Sequence, residues 1–465
     1  MRERRLPEAL GEYASSHAAR FHMPGHKGRG MGAFFNANLA GWDITELSFS
    51  DNLYNPTGAL LMAQRQMAKC YRAQSTFFLV NGSTAGLHAM LLSLPPGANL
   101  LVGRDCHRAV LTGAALAGHR ARFVTPAYSE AHGLWGCVDA GAIDAALTQS
   151  PADAVVVTSP NYYGLCADIK AIASVAGKQG ALLLVDAAHG AHFPFSSHLP
   201  DDPGGYADAW VVSAHKTMNA LGQAALLHTG AGIPARAMRR ALSIVQTSSP
   251  SYLLMASLDW ARYTATLGEC WDYCVRAAMK LRRDIARILG LAVLPNALCG
   301  RAGVADMDMT RLVIDVVGRG ITGYAAQAYL EEENVFIEMS DAKRIVLILT
   351  PADDPRWYEQ LLRALERLPY GVDPPPIAPM PPIIEPQAPV MPLYAAMRAS
   401  AEECAPEEAA GRIAADCAGI YPPGIPLWAP GERITEEAVQ YLLRQSMLGA
   451  TLFGVRNGRV GVVRQ

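Results

Sequence analysis

The chain has 465 residues, of which 51% are hydrophobic and 18% charged, with a formal net charge of −2. That length supports two or three domains with cores of their own, and the charge balance argues against a nucleic-acid surface. No uncharged apolar run approaches the ~18 residues that a bilayer span needs, and the charged start, Met1 to Arg5, has no apolar segment behind it, so neither a membrane protein nor a secretory signal is expected.

The nine cysteines form no paired framework, which points to a reducing, cytoplasmic setting. Cys270 and Cys274 stand one helical turn apart with no second pair, and read as core residues rather than metal ligands. The first sixty residues are rich in Gly, Pro and His and show no sustained apolar period. Phe21 to Gly30 is faintly like a phosphate loop, but it lacks the Gly-Lys-Ser/Thr ending and no strand precedes it. Asp43 to Gly58 is a polar loop with turn signals. An arm of this kind is expected to pack across a partner or a domain face.

A strand–turn–helix pattern follows: Thr76 to Val80, then Asn81 to Thr84, then Ala85 to Leu92. The turn offers backbone N–H groups with the hydroxyls of Ser83 and Thr84 at a helix N-terminus, suited to an anion; a plain N-cap is the equal alternative. Strands are expected at Asn99–Val102, Ala154–Thr158, Ala181–Asp186, Ala209–Ser213 and Ala224–His228. Helical segments follow His107 and span Asp168 to Lys178. This alternation predicts an α/β fold with a mainly parallel sheet covered on both faces. Ser83, His107, Asn161, Asp186 and Lys216 all fall at the carboxyl ends of strands, where open α/β sheets bind ligands.

From Ser251 to Leu289 the pattern is helical. Strands at 307–317 and 344–350 flanking a helix at 324–332 make a small α+β unit. Residues 371–392 are Pro-rich and read as a semi-rigid linker. The last segment is expected to hold two amphipathic helices around Ala418–Pro426 and short strands at 449–455 and 460–463. The boundaries drawn are an arm at 1–60, a large domain at 61–290, a small α+β domain at 291–372, a linker at 373–392 and a C-terminal α+β domain at 393–465.

Lys216 by itself is most simply a lysine reaching solvent beyond a strand. Together with Asp186 and the Ser83–Thr84 turn it has a joint chemical explanation. Pyridoxal phosphate needs a lysine for its aldehyde, a carboxylate for its pyridine nitrogen and a dipole-rich pocket for its phosphate. Partial desolvation of the lysine favours the neutral amine that attacks a carbonyl. His107 could lay its flat ring on the cofactor, or be a partly buried polar histidine.

The motifs then carry a resemblance. They are His22-Met-Pro-Gly-His-Lys-Gly28, Asp43-Ile-Thr-Glu-Leu47, Phe78-Leu-Val-Asn-Gly-Ser-Thr84 and Val185-Asp-Ala-Ala-His-Gly-Ala-His-Phe193. Further along they are Ser213-Ala-His-Lys-Thr217, Ser249-Pro-Ser-Tyr-Leu-Leu-Met-Ala-Ser-Leu-Asp259, and Tyr421-Pro-Pro-Gly-Ile-Pro426 before Pro430-Gly-Glu432. In this order they resemble the Orn/Lys/Arg decarboxylases, fold-type-I pyridoxal-phosphate enzymes acting on basic amino acids, in a short form without an N-terminal flavodoxin-like domain.

The resemblance implies that Lys216 holds the cofactor as a Schiff base, Asp186 pairs with the pyridinium, His107 stacks on the ring and His189 lies beneath it. Ser83, Thr84, Ser213 and His215 would hold the phosphate. Thr247 or Ser248 would reach the cofactor of a neighbouring subunit in a homodimer or larger assembly. Ala187, Ala214, Asp105, Arg108 and Ala109 depart from the family pattern, which has Glu, Thr and an Arg-Asn-x-His-Lys-Ser run at those places. Carboxylates suited to the far end of a basic substrate are Glu46, Asp51, Glu338, Asp341 and Glu432. Arginine is the favoured substrate, then lysine or ornithine; the alternatives are another fold-type-I reaction such as transamination, and a non-catalytic cofactor-binding paralogue.

Overall fold

In a computed structural model of the chain, which describes residues 6–371, 389–421 and 424–464, the β–α alternation builds one seven-stranded sheet. Its order is Ser75–Leu79, Ala225–Thr229, Ala209–Val212, Leu182–Asp186, Ala154–Thr158, Asn99–Gly103 and Arg120–Val124. Neighbours pair in parallel throughout, except where Ala225–Thr229 runs antiparallel to both of its partners.

The apolar runs explain why this sheet is buried on both sides. Successive side chains of a strand point to opposite faces. Val155, Val157, Leu183, Val185, Trp210 and Val212 enter one core. Ala154, Val156, Leu184, Ala209 and Val211 enter the other. Each fully buried Val or Leu contributes roughly 1.5–3 kcal/mol. Arg120–Val124 was not anticipated, because Arg120 and Arg122 interrupt its apolar character. It is an edge strand and largely half-buried, a place where charged side chains are tolerated.

The first sixty residues are more ordered than their composition suggests. They form helices Leu6–Ser15 and Gly32–Trp42 and the strand Ala19–Phe21, which pairs in parallel with Val335–Ile337. The sequence shows no clear period here because Gly32–Trp42 buries only Phe35. The segment that looked like a phosphate loop is a latch instead. Lys27 is buried, and its Nζ donates to the carbonyls of His22 at 2.7 Å and Ile348 at 3.1 Å.

The segment 251–289 divides into two helices, Tyr252–Ala265 and Cys270–Ile285. Cys274 is buried and Cys270 half-buried, both as free thiols. A four-stranded antiparallel sheet follows, ordered Ala292–Val293, Arg311–Asp315, Arg344–Ile348 and Met339–Ser340. Helices Gly323–Glu332 and Pro355–Glu366 accompany it, so the small α+β unit is present. Most of the Pro-rich linker, 372–388, lies outside the described residues.

The C-terminal segment corrects one expectation. Instead of two amphipathic helices around Ala418–Pro426, the strands Ala418–Ile420 and Pro426–Trp428 pair with each other, and Ala418–Ile420 pairs with Leu452–Phe453. Three prolines within five positions, at 422, 423 and 426, disfavour a helix across this stretch. The remaining strands, Ala401–Cys404, Arg459–Val463 and Val455–Arg456, form a second sheet, and the long helix of the segment is Glu436–Met447.

Candidate active site

Because the strands that carry them run in one direction, the functional groups meet at one edge of the large sheet. A cleft of about 270 Å³ is lined there by Ser83, Asp105, His107, Thr158, Asp186, His189, His215 and Lys216. Tyr162 from the large domain, Met23 from the arm and Tyr421 and Ile425 from the C-terminal segment complete its wall. Ligand pockets of this kind form where open α/β strands end.

Lys216 lies in the short helix Ala214–Thr217 that follows strand Ala209–Val212. Its Nζ stands 2.9 Å from His189 Nε2. Burial pushes the amine down to about 8, with Arg311 acting in the same sense and Asp186 and Glu338 opposing it. Asp186 ends its strand, buried, with Oδ1 accepting the Ala188 N–H at 3.1 Å. Burial raises its carboxyl, and the Lys216 charge works against that rise. His189 is held well below its ordinary value by burial, then by the charges of Lys216 and Arg311.

On the opposite wall the Ser213 hydroxyl donates to Ser83 Oγ at 2.8 Å, beside the first turn of the eleven-residue helix Gly82–Leu92. Two hydroxyls at a helix N-terminus suit a phosphate. His215 Nδ1 is bonded to the Ala224 carbonyl at 2.9 Å, and burial brings the ring down to about 4. His107 caps helix Arg108–Leu116, its Nδ1 accepting from the Ala109 N–H, and burial with the nearby Lys216 charge also brings it to about 4. It therefore presents a neutral, flat ring to the cleft. Thr84 is exposed and does not line the cleft, and Thr247 and Ser248 are likewise exposed. Asn161 is used by its own turn, Oδ1 accepting from Tyr163 and Leu165 N–H groups.

The five carboxylates separate clearly. Asp51 accepts backbone N–H groups from Asn52, Thr57, Gly58 and Leu60 and organises a loop. Asp341 accepts from the Tyr163 hydroxyl and from the backbone of Lys343 and Arg344. Glu432 pairs with Arg104 at 3.1 Å, both buried. Arg104 also donates to the carbonyls of Pro426 and Leu427, docking the C-terminal segment beside Asp105 and His107. Breaking a buried pair of this kind leaves an uncompensated charge and costs about 3–5 kcal/mol. Glu46 is half-buried on the arm loop and does not line the cleft. Glu338 does not line the cleft itself, but of the five its charge alone acts on Lys216 and it is bonded to two lining residues: Oε1 accepts from Tyr162 Oη at 2.5 Å and Oε2 from the Met23 N–H at 2.8 Å.

Sequence reasoning missed three groups. Tyr162 sits with its ring centroid 4.5 Å from that of His189. Arg311 donates to His189 Nδ1 at 3.2 Å across 122 positions of sequence, and no local signal marks it. Asp105, met in the sequence only as a departure, lines the cleft with Oδ1 buried and without a hydrogen-bond partner among the described residues. Burial, then the nearby Asp186, pushes its carboxyl from an ordinary 3.8 up to about 7. The folded chain thus keeps a proton that the unfolded chain releases, so stability falls as pH rises through that window. The upper bound is about 4 kcal/mol. Asp105→Asn, which restores the residue type of the family pattern, is expected to raise the urea midpoint at neutral pH and to flatten the loss of stability between about pH 4 and 7. An unchanged slope in unfolding curves over that range would show that Asp105 is not the group responsible.

Comparison with known proteins settles the family. The major-domain model of the Orn/Lys/Arg decarboxylases matches residues 5–298, and their C-terminal-domain model matches 383–465. The chain belongs to the Orn/Lys/Arg decarboxylase family. Membership makes it an enzyme, a basic amino-acid decarboxylase. It is 30% identical to the arginine decarboxylase of Bacillus subtilis over 99% of this chain and 97% of that one. With the arginine decarboxylase of Halalkalibacterium halodurans the identity is 32%, over 95% and 93%. Among solved structures, the Francisella novicida lysine decarboxylase superposes with a TM-score of 0.77 at 19% identity, covering 98% of this chain and 80% of that one. The fold of this decarboxylase is accordingly the fold-type-I α/β architecture expected. Ala187 and Ala214 are both buried in the apolar core, and neither lines the cleft.

Proposed function

We propose that this decarboxylase uses pyridoxal phosphate to convert arginine, ahead of lysine or ornithine, into the corresponding amine and CO2. The observation that carries the reading is the meeting, in one cleft, of a Lys216 held below the ordinary lysine value, a buried Asp186 and Ser83 with the Ser213 hydroxyl bonded to it. Each fits one part of that cofactor. The preference for arginine is supported by near-full-length relatives bearing that name.

When bound, pyridoxal phosphate supplies an electron sink for the pair left at Cα as CO2 departs. The side chains of this protein do the rest. Lys216 would provide the amine for covalent attachment. Asp186 keeps the pyridine nitrogen protonated, its buried carboxylate being worth far more than one in water. The neutral ring of His107 stacks without adding charge, and His189 supports the attachment point. Ser83, Ser213, the N–H groups of the first turn of Gly82–Leu92 and His215 take the phosphate. His215 Nδ1 is committed to the Ala224 carbonyl, so Nε2 donates only after an anion draws a proton onto the ring.

Glu338 is the carboxylate we assign to a guanidinium or ammonium, because its two donors leave lone pairs free. The second subunit of a homodimer would meet Thr84, Thr247 and Ser248. In support, these residues are exposed, Tyr54 donates to the Thr247 carbonyl, and the adjoining arm loop exposes Leu47 and Phe49. A cytoplasmic location is part of the same reading. Incubation with arginine, lysine and ornithine, following CO2 together with agmatine, cadaverine and putrescine, is expected to yield agmatine fastest. Formation of none of the three amines would reject the proposal.

A further inference from the structure

We propose that Arg311 is a positioning residue that fixes the tautomer of His189 and so favours the neutral amine of Lys216; this rests on the reading of Lys216 as the cofactor-bearing lysine. Three side chains make one line of contacts. An Arg311 guanidinium nitrogen stands 3.2 Å from His189 Nδ1, and His189 Nε2 stands 2.9 Å from Lys216 Nζ. A guanidinium has donors only and does not lose its proton in proteins. His189 Nδ1 is therefore the acceptor, and the ring carries its single proton on Nε2. That N–H points at Lys216, whose nitrogen must accept it. An ammonium has no lone pair with which to do so. That hydrogen bond is made with the neutral amine and is lost on protonation, so the arrangement favours the neutral form.

The placement is built into the fold. Arg311 is 1% exposed and opens strand Arg311–Asp315 of the small domain. A Cβ on Gly164 would come within 2.7 Å of Arg311 Cβ, and Gly164 has φ +80°. Only glycine accepts that backbone readily, so the 159–164 turn lets the arginine approach. The groups facing Lys216 pull in both directions. Asp186 and Glu338 favour the ammonium, whereas burial and Arg311 disfavour it. Around His189 stand Lys216, Arg311, His107 and His215, with the Tyr162 ring against it. Around Arg311 stand Asp308 and Lys27, with His192 beyond Asp308. Two carboxylates beside one lysine favour its protonation; burial opposes them, and the Arg311–His189 contact acts in the same sense as burial. The chemistry it serves is condensation: the lone pair of the nitrogen forms a bond to an aldehyde carbon, and the carbonyl oxygen leaves as water with the two amine protons.

The test measures capture rather than turnover. The full chain, stripped of cofactor, is mixed with pyridoxal 5′-phosphate and quenched with borohydride at intervals. Peptide mass spectrometry then gives the rate of labelling at Lys216 across a range of pH. In the wild type the rate is expected to reach its plateau just above the held-down lysine value of about 8. Arg311→Met should move the midpoint up, with burial still holding it below the ordinary 10.5. Capture near neutral pH should then slow about tenfold for each pH unit by which the midpoint rises, while the plateau rate stays near that of the wild type. Arg311→Lys, which keeps a charged donor, should return most of the loss. A role in packing alone would lower the rate equally at every pH. A wild-type midpoint in Arg311→Met overturns the inference. So does a nitrogen NMR spectrum of the ¹⁵N-histidine-labelled wild-type chain showing His189 protonated on Nδ1, a measurement that needs no variant to fold. If Lys216 takes no label in the wild type, the functional reading itself fails; if it takes label but the Arg311→Met midpoint stays put, this inference alone fails.

Discussion

Lys216→Ala is expected to lose the visible absorption of lysine-bound cofactor and to bring decarboxylation to background. The residue is the sole lysine lining the cleft among the described residues. Its amine is brought down to about 8, so a substantial neutral fraction exists near neutral pH, where an ordinary lysine has almost none. Alanine removes the only group there able to form a covalent link to an aldehyde. The phosphate wall, Ser83 with Ser213, is untouched, so non-covalent uptake of cofactor should persist at reduced affinity. Absorption spectroscopy and amine formation, measured on the same sample, check both halves. A mutant that retained the visible band would remove Lys216 from its assigned role, and with it the proposed function.

The second large effect is expected from Asp186→Asn. The side chain keeps its shape and a carbonyl oxygen, but it loses the negative charge that holds a proton on a pyridine nitrogen. Removing one electrostatic partner of a developing charge in a water-poor site typically costs about 10²–10³ in kcat. A fall of that order is expected, with the lysine-bound absorption still present because Lys216 remains. That combination separates Asp186 from Lys216. The folded state should tolerate the change: Asp186 is buried, its carboxyl already raised by burial, so losing a desolvated charge offsets the unpaired amide. A kcat within threefold of wild type, with an unchanged KM, would mean the carboxylate does not face the ring nitrogen.

Much of the large domain was legible in the chain because its signals are local. Each central strand is a short apolar run closed by a polar residue, and parallel strands of one sheet place those closing residues on one edge. Ser83, His107, Asn161, Asp186 and Lys216 could therefore be grouped without coordinates, and all five line the cleft; His189, Ser213 and His215 were added by the family resemblance. The arm and the C-terminal segment were harder. In Gly32–Trp42 the apolar residues occupy no single face, and around Ala418–Pro426 closely spaced prolines override an apparently amphipathic pattern.

The carboxylates mark the boundary between the two kinds of information. By composition Glu46, Asp51, Glu338, Asp341 and Glu432 were equivalent. Partners decided among them: backbone N–H groups claim Asp51 and Asp341, Arg104 claims Glu432, and Glu338 alone is bonded to two residues of the cleft wall, Tyr162 and Met23. By itself the sequence determined the fold class and the family and singled out the lysine proposed as covalent anchor, because apolar period, turn chemistry and motif order are properties of neighbouring residues. Tertiary structure alone decided which charges surround that anchor. Arg311 reaches His189 only because a small-domain strand begins against the turn at Gly164, and Asp105 becomes a buried acid only once the sheet closes around it. Those contacts depend on packing between distant segments, and no short stretch of the chain encodes them.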